Sequence, residues 1–167
     1  MPDLQRLRPD HAPALLAFER RNRVYFAAAV PDRGDAWFAE FEARHAALLA
    51  EQERGLCHFH VLVGDGGEIL GRVNLIDVDR REGTAELGYR IAQSAAGRGL
   101  ATAGAHAVCS LAVESYGLNS LRAATTDDNP GSRTVLTRLG FAPVGATRFD
   151  GRPGTLFRLD LAPFAPR

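Results

Sequence analysis

Ala95-Ala96-Gly97-Arg98-Gly99-Leu100-Ala101-Thr102 joins a strand-like segment, Thr84–Ile91, to a helix-like one, residues 97–116. Small residues at such a junction let backbone N–H groups approach an anion, and the start of the helix adds a partial positive charge. A diphosphate would suit this place. A plain tight turn, with Arg98 an ordinary solvated arginine, is the alternative interpretation of the same residues.

Two other phosphate-binding loops fit this stretch less well. A dinucleotide fingerprint needs a third glycine, but the spacing that starts at Gly97 and Gly99 reaches Thr102 instead. A Walker loop needs Gly-Lys-Ser/Thr, which this sequence lacks. Neither a Rossmann site nor a P-loop is therefore expected.

The segments before the junction predict an antiparallel meander. Residues 57–63 and 69–78 are strand-like, and they precede Thr84–Ile91 with short polar linkers between them. Further upstream, residues 4–8 predict a strand and Asp10 is a candidate N-cap for a first helix. A second helix is predicted from near Asp35, whereas residues 22–31 show no clear period.

The segments after the junction predict one parallel strand pair and a final hairpin. A helix-length crossover leads to a strand at residues 121–126, which should pair in parallel with Thr84–Ile91. Asn129-Pro130 then opens a short helix that ends at Gly140. With a hairpin from residues 141–149 and 154–161, the order is βααβββαβαββ. This order predicts an α+β fold with a mixed, mostly antiparallel twisted sheet and flanking helices.

Composition limits the possible functions. The 167 residues fit one domain, 1–167, and no apolar run or N-terminal leader is visible, so a cytoplasmic protein without a membrane partner is expected. Lys+Arg and Asp+Glu are equal at 20, which argues against nucleic acid as a ligand. Cys57 and Cys109 form no metal or disulfide pattern, and His58 and His60 lack a third metal ligand, so no metal is expected. The oligomeric state cannot be derived, although an oligomer is compatible with the sequence.

The junction resembles the acetyl-CoA loop of the GNAT N-acetyltransferase superfamily, whose pattern is Gln/Arg-x-x-Gly-x-Gly/Ala. Gly99-Leu100-Ala101 matches the last three positions, whereas Ala96 stands at the first. The phrase from Gly97 to Thr102 resembles the RimJ/RimL-like ribosomal-protein N-terminal acetyltransferase branch. So do Asn129-Pro130-Gly131-Ser132 and Leu139-Gly140-Phe141.

The resemblance implies acetyl-CoA as co-substrate and assigns residues to it. Backbone groups of residues 97–102, Arg98 included, would hold the pyrophosphate. The family's parallel strands splay apart, so that Leu87, Tyr89 and Ile91 would offer backbone groups to pantetheine in the manner of an added strand. Asn129 would lie near the pantetheine arm; a plain helix cap is the alternative role for its side chain.

Two residues are candidates for catalysis. Glu86 is the acid most like the family's base by position, and a carboxylate can remove the ammonium proton before attack. An exposed strand glutamate is the alternative. Alternation places Glu86 and Tyr89 on opposite faces unless a bulge intervenes. By resemblance Ser132 would protonate the departing CoA thiolate, although a hydroxyl in a first helical turn can simply satisfy a free N–H.

The predicted function is transfer of acetyl to a primary amine by direct attack. The favoured acceptor, by resemblance, is a protein or peptide N-terminal α-amine, and a small-molecule amine such as a polyamine, antibiotic or amino acid is the alternative. A non-catalytic acyl-CoA-binding sensor would keep the loop without needing Glu86 or Ser132. The expected acceptor walls are Tyr25, Phe26, Trp37, Asn74 and the hairpin at residues 149–154; these aromatic side chains could equally be core.

Overall fold

The strands form one seven-stranded sheet with the order β1-β2-β3-β4-β5-β7-β6. This is a computed structural model, which describes residues 2–167. The β4–β5 pair is parallel and every other pair is antiparallel, so the predicted fold class is confirmed. The strands are β1 Asp3–Arg6, β2 His58–Val63, β3 Ile69–Asp79, β4 Thr84–Ile91, β5 Ser120–Thr126, β6 Ala142–Phe149 and β7 Arg152–Asp160.

Six α-helices flank this sheet within residues 2–167. Among residues 2–167 none of them is long and apolar enough to cross a membrane. Four precede β2, one lies between β4 and β5, and one follows β5. They are α1 Ala12–Arg21, α2 Arg23–Ala27, α3 Asp35–Ala39, α4 Phe41–Glu53, α5 Leu100–Glu114 and α6 Pro130–Leu139.

The N-terminal helices differ from the sequence prediction. Asp10 is not an N-cap: it lies in a 3-10 turn, its carboxylate pairs with Arg8, and α1 starts only at Ala12. Residues 22–31, which showed no period, contain the short helix α2. The boundary between α1 and α2 is set by Asn22, whose side-chain amide donates to the Phe18 carbonyl. The helix predicted from Asp35 is split at residue 40 into α3 and α4.

Each face of the sheet carries its own apolar core. On one face α5 packs closely against β3 and β4, since a Cβ added to Gly104 would lie only 3.2 Å from Val73 and 3.3 Å from Leu62. On the other face α1 and α4 bury Leu15 and Phe18 against β2. On β4, Leu87 belongs to the core beneath α5, whereas Arg90 faces α1 on the other side of the sheet.

The parallel pair β4–β5 is short. Its ladder joins only three residues of each strand, and Glu86↔Arg122 is the last pair. Beyond it β4 stays paired with β3 as far as Ile91, and β5 stays paired with β7 as far as Thr126. The two strands thus separate from each other while both remain in the sheet, which is the splay that the resemblance implied.

Candidate active site

A cavity of about 1110 Å³ opens where β4 and β5 separate. Its walls come from α2 and the residues after it, β4, the loop before α5, β5, α6, and the β6–β7 turn. Pockets for drug-sized ligands are usually roughly 300–1,000 Å³. This cavity is therefore large enough to hold a long substrate together with a second one.

The loop before α5 presents backbone N–H groups to one end of the cavity. Gly97 and Gly99 have φ of 76° and 74°, a backbone conformation that glycine adopts without strain. Gly99 is the N-cap of α5, and the amide of Ala103 donates to its carbonyl. The amides of residues 100–102, in the first turn, have no partner within the helix and remain available to an anion.

Five of the six residues predicted to surround the pyrophosphate line the cavity: Gly97, Gly99, Leu100, Ala101 and Thr102. Arg98 does not. Its exposed guanidinium donates to the Ser94 carbonyl at 2.9 Å, so it closes the loop instead of facing the cavity.

Tyr89 and Ser132 meet inside the cavity although they are 43 residues apart in the chain. The Tyr89 hydroxyl lies 2.9 Å from the Ser132 Oγ and 3.2 Å from the Ser132 carbonyl oxygen. Burial raises the pKa of Tyr89, and the hydrogen bond with Ser132 offsets only part of that change. The phenol is therefore neutral at physiological pH and can act as a proton donor.

Asn129 caps α6 and also lines the cavity. Its Oδ1 accepts a hydrogen bond from the Ser132 amide at 3.2 Å. The capping role that was the alternative for Asn129 is therefore present, and it satisfies the amide of Ser132. The Ser132 hydroxyl is left free to bond Tyr89 and whatever enters the cavity.

Glu86 lies at the closed end of the splay and is not among the residues that line the cavity. It pairs with Arg122 on one side and with Ile76 on the other, and its side chain is half-buried. Among residues 2–167, Asp150 at the β6–β7 turn is the one carboxylate-bearing residue of the cavity wall. The role of Glu86 as base stays a prediction, with Asp150 as a competitor that the sequence did not single out.

The predicted acceptor walls are only partly brought together. Tyr25, Phe26 and Phe149 line the cavity. Trp37 does not, because it packs edge-on against Phe38 and Phe41 with Arg33 over its ring.

Asn74 also lies outside the cavity wall, opposite Gly88 on the adjacent strand. Its Oδ1 is buried and has no hydrogen-bond partner. A Cβ built on Gly88 would meet nothing within 4 Å, so open space lies beside β4 at this position.

Arg90 is a cavity residue that the sequence analysis missed. It neighbours Tyr89 on β4 but projects to the opposite face, where it donates to Glu19 on α1. The signal was present in the sequence, since Glu19 follows Leu15 and Phe18 on the apolar side of a predicted helix. A buried carboxylate at such a place needs cationic partners.

His58 and His60 are engaged in contacts with Tyr116. His60 Nδ1 donates to the Val73 carbonyl, so its Nε2 accepts from the Tyr116 hydroxyl at 2.6 Å. His58 stacks on the Tyr116 ring at 3.6 Å between centroids. Burial, with a smaller contribution from Arg6, lowers the pKa of His58 to about 4, and burial lowers that of His60 to about 4 as well.

The arrangement can bind an anion at one end and exchange a proton in the middle. Free helix amides mark the first place and the Tyr89–Ser132 pair marks the second. Between them, the β5 side of residues 87–91 has no strand partner and can pair with an extended ligand.

Comparisons with known proteins agree with this architecture. The family model of the acetyltransferase (GNAT) domain matches residues 3–142. YdaF of Bacillus subtilis (strain 168), named as a candidate ribosomal N-acetyltransferase, is 34% identical over 85 residues. That match covers 51% of this chain and 46% of YdaF, so it spans about half the length of the relative.

Three solved structures share the fold. The ribosomal-protein-S5-alanine acetyltransferase of Vibrio fischeri superposes with a TM-score of 0.89 at 21% identity, covering 98% of this chain and 94% of the other. RimJ of Mycobacterium smegmatis, in complex with a CoA disulfide, gives 0.85 at 24% identity and coverages of 98% and 83%. A chimera of the Vibrio cholerae spermidine N-acetyltransferase SpeG with hSSAT gives 0.80 at 15% identity and coverages of 97% and 96%.

Proposed function

The chain belongs to the GNAT acetyltransferase family, and on that premise we propose that it transfers acetyl from acetyl-CoA to the N-terminal α-amine of a protein or peptide. The enzyme class follows from the family. The acceptor and the roles of individual residues are our proposal, as is the assignment of residues 1–167 to one catalytic domain. We also propose a cytoplasmic location, because ribosomal proteins are made there.

The observation that carries the proposal is the cavity between β4 and β5, with anion-binding amides at one end and a hydroxyl pair at its centre. The unpartnered amides of residues 100–102 suit a pyrophosphate. The unpaired edge of residues 87–91 suits the amide groups of pantetheine. These features fit acetyl-CoA, and the CoA complex of the RimJ structure supports the same assignment.

Acetyl-CoA supplies an acetyl group activated as a thioester. The acceptor ammonium first loses a proton, and its neutral nitrogen then forms a C–N bond to the acetyl carbon. As the C–S bond breaks, this nitrogen loses a second proton and the sulfur takes one up. We assign the last proton to the Ser132 hydroxyl, which Tyr89 orients and can resupply. Glu86 or Asp150 would take the ammonium proton, and overall one proton is released to solvent.

The charges of the cavity favour a peptide α-amine over a polyamine. Arg90, Arg138 and Arg152 line it, against the single carboxylate of Asp150 among residues 2–167. A polyamine carries several positive charges and would need acidic walls. The likeness to the spermidine acetyltransferase keeps the polyamine as the second candidate. A non-catalytic sensor is disfavoured by membership of an acetyltransferase family.

The test is turnover with a panel of amines. The purified protein is incubated with acetyl-CoA and either a peptide with a free α-amine, spermidine, an aminoglycoside or an amino acid. Released thiol and acetylated product are measured, the latter by mass spectrometry. All 20 of its Lys+Arg residues are arginine, so side-chain amines of the enzyme do not contribute to the signal.

A matched peptide isolates the α-amine. It has the same sequence with a blocked N-terminus and one internal lysine. We expect acetylation of the free peptide only. Preferred acetylation of spermidine or of the internal lysine would contradict the proposed acceptor.

A further inference from the structure

Glu19 lies at the centre of a buried ion-pair cluster beside the cavity. Its carboxylate is 1% exposed and accepts four hydrogen bonds from three guanidinium groups. Arg33 donates two of these bonds at 3.0 and 3.1 Å, Arg72 donates one at 2.9 Å, and Arg90 donates one at 3.2 Å. Burial by itself would raise the pKa of Glu19, but these hydrogen bonds and charges lower it, so the carboxylate is ionised.

The cluster carries more positive than negative charge. Arg23 adjoins it and is bonded to Asp32 and Asp35. The four arginines and three carboxylates of this region therefore have a net charge of +1. The four cations are Arg23, Arg33, Arg72 and Arg90, and the three anions are Glu19, Asp32 and Asp35.

Arg90 is the member of the Glu19 cluster that reaches the large cavity. Arg33 and Arg72 do not line it, and Arg72 is fully buried. The Arg90 guanidinium lies over the Phe26 ring at 4.9 Å, and its side chain is 23% exposed. A guanidinium has five N–H donors, and only one of them is used in a bond to another residue. Burial and the charge of Arg33 lower the pKa of Arg90 to about 10, so it is still a cation at neutral pH.

Arg90 lines the same cavity as Tyr89 and Ser132. It follows Tyr89, which bonds Ser132, on the same strand. Because alternate residues project to opposite faces, Tyr89 contacts α6 while Arg90 faces α1 and the Phe26 wall. An acceptor that enters past Phe26 would meet the guanidinium before its amine reached the hydroxyl pair.

We propose that Arg90 binds a carboxylate that the acceptor carries a few bonds from its reacting amine. The inference rests on the proposed transferase function and narrows its substrate class to acidic N-termini. A free amino acid has the same chemistry, with its own carboxylate in that position. A carboxylate can form two parallel hydrogen bonds with a guanidinium. The unused N–H donors of the partly buried Arg90 would be satisfied in this way when the acceptor binds.

The experiment uses pairs of peptides that differ at one of their first three positions, where one peptide has Asp or Glu and its partner has Asn or Gln. A second comparison, of alanine with alaninamide, tests a free amino acid as the acceptor. Both kcat/KM and binding in the presence of CoA are measured. We expect wild type to favour the acid over its amide about tenfold or more, a usual effect of one charge-assisted pair. A peptide with lysine at the same position should have the lowest kcat/KM. If wild type prefers the acidic peptide over its amide but does not prefer alanine over alaninamide, the carboxylate comes from an acidic N-terminus. If it prefers alanine over alaninamide but shows no such preference among peptides, the carboxylate comes from a free amino acid.

Two variants separate Arg90 from the rest of the cluster. Arg90→Gln should abolish the preference, because kcat/KM for the acidic peptide should fall to the level of its amide counterpart when the contact to the carboxylate is lost. Arg33→Gln is the matched control: it removes two hydrogen bonds to the same Glu19, but Arg33 lies outside the large cavity. It should lower the melting temperature and keep the preference.

Three results would overturn the inference. The first is an equal kcat/KM of wild type for the acidic peptide and its amide. The second is a preference for the acid that survives in Arg90→Gln. The third is a loss of acetyl-CoA affinity in that variant with the preference intact, which would assign Arg90 to the coenzyme. The wild-type comparison needs no variant to fold. A binding preference without acetylation of any amine would support the role of Arg90 and contradict the transferase proposal instead.

Discussion

The Ser132 hydroxyl could either satisfy a free N–H in the first turn of α6 or donate a proton in the cavity, and its neighbours favour the second role. Its own amide is already bonded to Asn129, so the helix does not need the hydroxyl. The hydroxyl lies 2.9 Å from Tyr89 at the cavity wall. At the residue scale, this pair is the strongest candidate for proton delivery.

Ser132→Ala should lower kcat about tenfold or more and leave the acetyl-CoA Kd nearly unchanged, because a thiolate needs its proton only as the C–S bond breaks. Steady-state kinetics and calorimetry provide the two numbers. Ser110→Ala, which removes an exposed hydroxyl from α5, is the control. Loss of coenzyme affinity and stability with kcat intact would return Ser132 to a structural role.

Glu86→Gln should slow acetylation most at low pH. An α-amine has an unperturbed pKa of about 8, so its neutral fraction shrinks as pH falls and a base becomes more important. The measurement is the pH profile of kcat/KM with one good acceptor, and Asp150→Asn is measured in parallel. If only the Asp150 variant changes the profile, the base lies at the β6–β7 turn; parallel profiles for both variants would exclude both carboxylates.

At the scale of elements, strand β4 serves both faces of the sheet. Tyr89 bonds α6 on one side, Arg90 bonds α1 on the other, and the edge between them is left unpaired by the splay. The end of this one strand, residues 87–91, therefore presents a hydroxyl, a cation and unpaired backbone groups to the cavity. The loop that follows it adds the anion site.

Gly99→Asp should weaken acetyl-CoA binding about tenfold, roughly 1.4 kcal/mol, because it puts a negative charge among the free amides at the start of α5. A Cβ at Gly99 would meet nothing within 4 Å, so a clash is not the cause. Gly99→Asn controls for the positive φ, which asparagine tolerates. Calorimetry with CoA should show a much smaller loss for Asn than for Asp; equal losses would assign the effect to backbone strain.

At the scale of the whole molecule, stability should depend on pH through the buried histidines. The pKa values of His58 and His60 are about 4 in the folded protein, below the ordinary 6.5. The unfolded chain therefore binds more protons between these values, and the free energy of unfolding should fall as pH decreases from about 6.5 to 4. Above that window the contribution is fully present.

His58→Phe should make this dependence shallower by about one proton, since it keeps a ring on Tyr116 and removes one titrating group. It also removes the buried His58 Nδ1, which has no hydrogen-bond partner. Urea unfolding at several pH values between 7.5 and 5 provides the measurement. His106→Gln changes an exposed histidine and is the control; a slope that is unaltered in His58→Phe would contradict the assignment.

Local signals were enough to predict much of this protein from its sequence. The bounds of β4, the glycine-bearing start of α5, and the Asn129 cap and Gly140 end of α6 all depend on neighbouring residues in the chain. The antiparallel meander, the parallel β4–β5 pair and the final hairpin followed from connection lengths, whereas the β5–β7 pair was not predicted. These features could be derived because backbone conformation and short-range hydrogen bonds depend on residues a few positions apart.

The tertiary structure alone decided which distant side chains meet. The Tyr89–Ser132 bond spans 43 positions and the Glu19–Arg72 pair spans 53. Trp37 was an expected acceptor wall, yet it packs among Phe38, Phe41 and Arg33 and does not line the cavity. Such contacts depend on strand register and helix packing together, and a one-residue change in register would move every side chain of a strand to the other face.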